Sequence, residues 1–95
     1  VPHRTWLLKW LKDPKNAAAY IEVALTEGDS GDVLHALRNV AEACGGVARI
    51  AAKTGLNREA LYRTLSKRGN PQLKNFAAIL GATGLRLSVT PARAP

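Results

Sequence analysis

Glycines and Asx–proline pairs cut this 95-residue chain into short pieces, and that punctuation limits its fold more than any other feature. Gly28, Gly45-Gly46, Gly55, Gly69 and Gly84 each close a stretch of helical periodicity, and Asp13-Pro14 and Asn70-Pro71 each open one. An Asp or Asn cap satisfies a free N–H of the first turn, and proline just after it pre-sets the helical φ. Glycine past the last turn ends the helix. The spacing predicts a helix over Lys15–Glu27, with Ala18, Tyr20, Ile21, Ala24 and Leu25 apolar. A second starts at Asp29 or Ser30 and carries a stripe of Val33, Leu34, Leu37, Val40, Ala41 and Cys44. A short helix over Val47–Lys53 and another at about residues 57–67 follow. The last opens at Asn70-Pro71 and presents Leu73, Phe76, Ala77, Ile79 and Leu80. A turn or short helix is expected around Thr5–Leu11, where Trp6 and Trp10 stand one helical turn apart, as do Leu7 and Leu11.

The strand signal is confined to Leu85-Arg86-Leu87-Ser88-Val89, which alternates apolar and polar residues. The expected fold is all-α, with about five helices and this short C-terminal strand. Residues 1–12 read as a leader with a short helix, 13–90 as a single domain and 91–95 as a tail. Aromatic residues are 5% of the chain, while alanine and leucine dominate, a mix that favours helix over strand. The core of so short a chain is thin, and a dimer would add buried surface.

Charge is distributed in blocks. The total is +7 with a pI near 10.2, which points to a polyanion partner. Residues 13–45 hold six of the seven acidic residues and only Lys15 and Arg38 as bases. Residues 46–74 hold Arg49, Lys53, Arg58, Arg63, Lys67, Arg68 and Lys74 against Glu59 alone. The second block is the candidate basic face. Cys44 is the lone cysteine, so no internal disulfide forms, and its apolar position reads as a buried thiol. Lys9 interrupts the apolar run from Trp6 to Leu11, which is too short to span a bilayer. No signal peptide is recognisable, and the cytoplasm is the expected compartment.

The chemistry concentrates between Gly46 and Leu65, GVARIAAKTGLNREALYRTL. Two short helices are joined by a tight turn at Thr54-Gly55-Leu56, with small Ala51 where they cross. Leu56, Leu61 and Leu65 anchor the second helix, leaving Arg58, Glu59, Tyr62, Arg63, Ser66 and Lys67 outward. A DNA-reading helix needs such an apolar back and a polar front whose first turn reaches base edges. Enzyme readings find little support. His3 lies in the leader, and His35 has only Asp32 near it, which reads as a surface pair. One cysteine and two histidines do not make a zinc site of the usual kind, so no metal is expected. No glycine loop resembles a phosphate cradle, and no cofactor is expected.

The stretch from Ile50 to Val89 resembles the helix-turn-helix of the Cro/CI-repressor, or Xre-like, class. More closely, residues 11–89 resemble the addiction-module antidote proteins of the HigA type. The matching pieces include Leu11-Lys12-Asp13-Pro14, Glu27-Gly28-Asp29, Ala36-Leu37-Arg38-Asn39-Val40, Thr54-Gly55-Leu56, Gly69-Asn70-Pro71 and Gly84-Leu85-Arg86-Leu87-Ser88. The chain departs from the pattern at Gly45-Gly46-Val47, a glycine-rich entry to the motif. The resemblance implies a lambda-repressor-like fold and a bacterial, cytoplasmic antitoxin. Such a protein binds an inverted-repeat operator in double-stranded DNA as a homodimer, represses its own operon and neutralises a RelE/ParE-like toxin.

On that reading Arg58, Glu59, Tyr62 and Arg63 read bases. Arg58 suits guanine O6 and N7, and Glu59 suits cytosine N4. A phosphate contact is the alternative for Arg58, stabilisation of the helix N-terminus for Glu59, and packing on the preceding helix for Tyr62. Arg49, Lys53, Asn57, Ser66, Lys67, Arg68 and Lys74 are the expected phosphate contacts. Leu85, Leu87 and Val89 alternate with no other convincing strand signal to pair with, so they are the expected dimer strand across a two-fold axis, with pairing to a toxin strand as the alternative. The rival function is a protein-binding module that covers a toxin without sequence-specific DNA binding.

Overall fold

The computed structural model describes residues 3–92 and is helical throughout its regular parts. The order is α1 (His3–Trp10), α2 (Pro14–Glu27), α3 (Ser30–Ala43), α4 (Val47–Thr54), α5 (Arg58–Thr64) and α6 (Leu73–Ala82). That is six helices among the described residues, the additional one being the short N-terminal helix. The caps expected for α2 and α3 form. Asp13 accepts from the Lys15 N–H at 2.9 Å with Pro14 in the first turn of α2. Asp29 accepts from the Asp32 N–H at 2.9 Å, and the Asp32 carboxylate accepts in return from the Asp29 N–H at 3.1 Å. This reciprocal box fixes the start of α3 and engages Asp32, which sequence spacing had paired with His35.

The stripe on α3 makes it the central helix. It packs against α1, α2 and α4, and α4 packs in turn against α5 and α6. Leu11, Leu37, Val40, Val47, Ile50, Leu61, Leu65 and Ile79 fill the centre with almost no exposure. Each such aliphatic side chain contributes about 1.5–3 kcal/mol by leaving water. A second row on α3, at Ala36, Asn39 and Ala43, is buried toward the N-terminal helices. Asn39 is polar yet only 4% exposed, and its amide is satisfied at both ends. Its Oδ1 accepts from Arg4 Nη1 at 3.0 Å, and its Nδ2 donates to the Tyr20 hydroxyl at 3.0 Å. This relay ties α1 and α2 to α3. Trp6 and Trp10 stack with centroids 5.8 Å apart, leaving Trp6 exposed. Cys44 is half-buried, with its Sγ 3.9 Å from the Thr83 carbonyl.

Three expectations are corrected. The helix beginning at Asn70-Pro71 begins instead at Leu73, with Gln72 in the cap position. Proline disfavours helical ψ in the residue before it, and here the Asn70–Gln72 link stays irregular. The helix at 57–67 ends at Thr64, and residues 65–68 form a turn. The Ser66 hydroxyl and N–H both donate to the Arg63 carbonyl, at 2.7 and 3.2 Å, which winds the chain out of the helix.

The C-terminal strand is absent among the described residues: residues 85–92 form neither strand nor helix. A strand is defined by its ladder, and among the described residues nothing pairs with this segment. Leu85 belongs to the end of α6, its N–H donating to Leu80 O at 3.0 Å and its side chain packing on the core. Of the tail, residues 93–95 lie outside the described residues, as do residues 1 and 2 of the leader. Among the described residues no helix is long and apolar enough to cross a membrane.

Candidate functional site

The pair α4–α5 is built around one turn. Gly55 closes α4 in the left-handed conformation, φ +75°, and its N–H donates to Ala51 O at 2.9 Å. A side chain is disfavoured at that φ, so the turn selects glycine. The Thr54 hydroxyl braces the same turn, donating to Ile50 O at 2.8 Å and accepting from the Leu56 N–H at 3.2 Å. Asn57 then caps α5, its Oδ1 accepting from the Ala60 N–H at 3.1 Å. Ala51, Leu61 and Leu65 are buried, and Leu56 is half-buried against the same core. The apolar back of α5 is therefore held rigidly, and its front is left to water.

Arg58 and Glu59 occupy the first turn of α5 and Arg63 its last, all exposed. Tyr62 is half-buried and packs on the core, with the Arg38 guanidinium 5.3 Å above its ring centroid. A cation over an aromatic face at that distance is attractive. Packing is thus one role of Tyr62, and the cation over its ring comes from α3. Asn57 has one amide oxygen committed to its cap, and Ser66 has its hydroxyl proton committed to the Arg63 carbonyl. Lys67 and Arg68 lie in the turn after α5, exposed, and Lys74 lies in the first turn of α6. Arg49 and Lys53 are exposed on α4, and the Arg49 stem lies over Gly45. The glycine-rich entry to α4 consists of Gly45 and Gly46 at φ +108° and +96°. Gly46 N–H donates to Ala41 O at 3.0 Å, closing α3 so that α4 can start at once.

Arg38 and Asn39 were missed as contributors. Arg38 sits in an acidic stretch, and nothing local distinguishes it from a solvated charge. Asn39 had a signal: it falls three residues after Ala36 and four before Ala43, on a small-residue row beside the main stripe. Among the described residues, no three His, Cys, Asp or Glu side chains are grouped so as to hold a metal ion.

Residues 6–91 match the family model described as "Probable addiction module antidote protein". This chain belongs to that antidote family. A protein of Haemophilus influenzae, described only as uncharacterized, is 32% identical over 74 residues, which are 78% of this chain and 75% of that protein. No solved structure matches. The match to the antidote family spans every helix from the middle of α1 to the end of α6, so the family's unit is the whole helical domain. An addiction-module antidote is defined by a toxin that it counteracts, so a toxin is the partner this membership implies.

Proposed function

We propose that this antidote is a DNA-binding antitoxin, in which α4 and α5 form a helix-turn-helix of the Xre-like, HigA-type kind with α5 in the major groove. The carrying observation is the composition of one face. A second helix locked to the core by Leu61 and Leu65 presents Arg58, Glu59 and Arg63, flanked by Arg49, Lys53, Lys67, Arg68 and Lys74, and Glu59 is the sole acid from residue 46 to 74. Arg58 and Glu59 stand where base edges would be met, and the flanking cations supply phosphate contacts. Bound as a homodimer, the protein represses its own operon in the bacterial cytoplasm and neutralises a RelE/ParE-like toxin.

Binding to the DNA upstream of its own gene, measured by mobility shift across a salt series, tests this. If roughly three to five cations per subunit meet phosphates, affinity falls by roughly 10³–10⁵ between about 50 and 200 mM salt. Half-sites should lie about 10–10.5 bp apart, or a multiple of that. A flat salt response removes the DNA reading.

A second reading then takes its place, a module that only covers a toxin. It is favoured by the acidic half of the molecule, where Glu22, Glu27, Asp29, Asp32 and Glu42 are spread over α2 and α3. Trp10, Tyr20, Val23 and His35 line a groove between these helices, with Val23 55% exposed.

A further inference from the structure

Among the described residues, four of the six large apolar side chains that remain exposed belong to one region: Leu25 on α2, Leu73 on α6, and Leu87 and Val89 in the C-terminal segment. Leu25, Leu73 and Leu87 line two adjoining grooves. One runs between α2 and the segment and is lined by Ile21, Leu25, Phe76, Leu80, Leu85 and Leu87. The other shares Leu25 and Phe76 and reaches Leu73. Val89 is 97% exposed and touches almost nothing in its own chain. The backbone is equally unspent. After the Leu85 N–H, residues 86–92 make no backbone hydrogen bond among the described residues.

We infer that this face is where two copies of the chain join, with residues 85–89 of each pairing antiparallel across a two-fold axis centred on Leu87. The inference rests on the homodimer proposed above and locates its interface. The sequence of the segment selects both the occupant and the register. Side chains alternate in an extended chain, so Leu85, Leu87 and Val89 share one face and Arg86, Ser88 and Thr90 the other. A shift by one residue sets apolar positions against polar ones. Among the registers that avoid this, a centre on Arg86 places two arginines directly opposite each other, which is unfavourable. A centre on Ser88 sets Leu85 against Pro91, which has no N–H to give. A centre on Leu87 sets Leu85 against Val89 and Leu87 against its own copy, with Arg86 facing Ser88. The segment is complementary to itself, and a two-fold axis produces that pairing with no further partner. The apolar face of the two-stranded ribbon then closes over the grooves that expose Leu25 and Leu73.

Light scattering on the purified chain without DNA tests the interface. At micromolar concentration the chain should be a dimer, and the double variant Leu87→Asp, Val89→Asp a monomer with unchanged helical circular dichroism. A monomeric wild-type chain overturns the inference, and so does a double variant that stays dimeric. The register is tested separately in a Cys44→Ala background. Leu87→Cys should cross-link to its own copy on mild oxidation, whereas Ser88→Cys should not. Cross-linking of Ser88→Cys in preference to Leu87→Cys overturns the register. The outcomes separate from those for DNA: a dimer that ignores operator DNA defeats the DNA reading and leaves the interface standing, and a monomer that shifts operator DNA defeats the interface and the homodimer it rests on and leaves operator binding standing.

Discussion

Replacing Asn39 by alanine is expected to loosen the N-terminal half of the molecule more than any other single polar change. Asn39 is 4% exposed and makes two side-chain hydrogen bonds, one from Arg4 and one to the Tyr20 hydroxyl. The bond to Tyr20 is neutral and contributes about 0.5–1.5 kcal/mol. The bond from Arg4 has a charged donor, but Arg4 is exposed and regains water when the bond is lost, so its share stays near the low end of that range. The missing amide also leaves a small void beside Ala36 and Ala43, and the total comes to about 2–3 kcal/mol. For a domain of this size each kcal/mol shifts the midpoint by about 4–8 °C, so Tm should fall by roughly 8–24 °C. Thermal and urea unfolding followed by circular dichroism would measure it. Arg4→Ala should cost about 1 kcal/mol, less than Asn39→Ala, since it leaves the Asn39 Oδ1 without its donor but keeps the bond to Tyr20. The reasoning fails if Arg4→Ala costs as much as Asn39→Ala, or if Asn39→Ala stays within about 0.5 kcal/mol of the parent, the range of an ordinary surface change.

Arg58→Ala should lose discrimination between operator and scrambled DNA by ~1–3 kcal/mol, while Lys67→Ala weakens both about equally in filter binding. Equal losses on both sequences for Arg58→Ala would remove it from base reading. Two glycines should respond differently to alanine in the same unfolding assay. At Gly55 nothing lies near an added Cβ, and the cost is about 1–2 kcal/mol of left-handed strain. At Gly69 an added Cβ would overlap the Thr64 carbonyl oxygen, so the cost should be at least about 2 kcal/mol, and a smaller loss than at Gly55 would contradict the packing described. Asp29→Ala removes the carboxylate that accepts from the Asp32 N–H, while its own N–H can still donate to the Asp32 carboxylate, and should lower stability by about 1 kcal/mol; Asp29→Asn, which keeps the acceptor, should recover most of it in urea titrations.

The helical architecture was legible because its signals are local. Asp13-Pro14, Asp29, Gly55 and Asn57 act within one turn of themselves, and each does what its chemistry predicts. The core stripe on α3 and the inward Leu61 and Leu65 follow from helical period alone. Errors arose where a local signal competes with a longer-range one. Asn70-Pro71 looks like a helix start, but the link between α5 and α6 must first cross from the turn at Lys67 and Arg68. Leu85, Leu87 and Val89 alternate as a strand does, yet alternation says only which side chains share a face. A ladder requires a second strand, and the described residues of one chain contain none. The stacking of Arg38 on Tyr62 joins residues 24 positions apart, on helices whose crossing no periodicity records. In the candidate site, the sequence showed the side chains that face outward, and the contact that steadies Tyr62 from α3 came only with the fold.

The division of charge between the two halves acts at distances well beyond any contact. Acidic α2 and α3 and basic α4 and α5 give the molecule an electric moment as well as a net charge. A body charged in this way rotates as it nears a polyanion, presenting its basic side before any side chain touches and turning its acidic side outward to the solvent. Orientation is then settled during approach, which shortens the search that follows each collision.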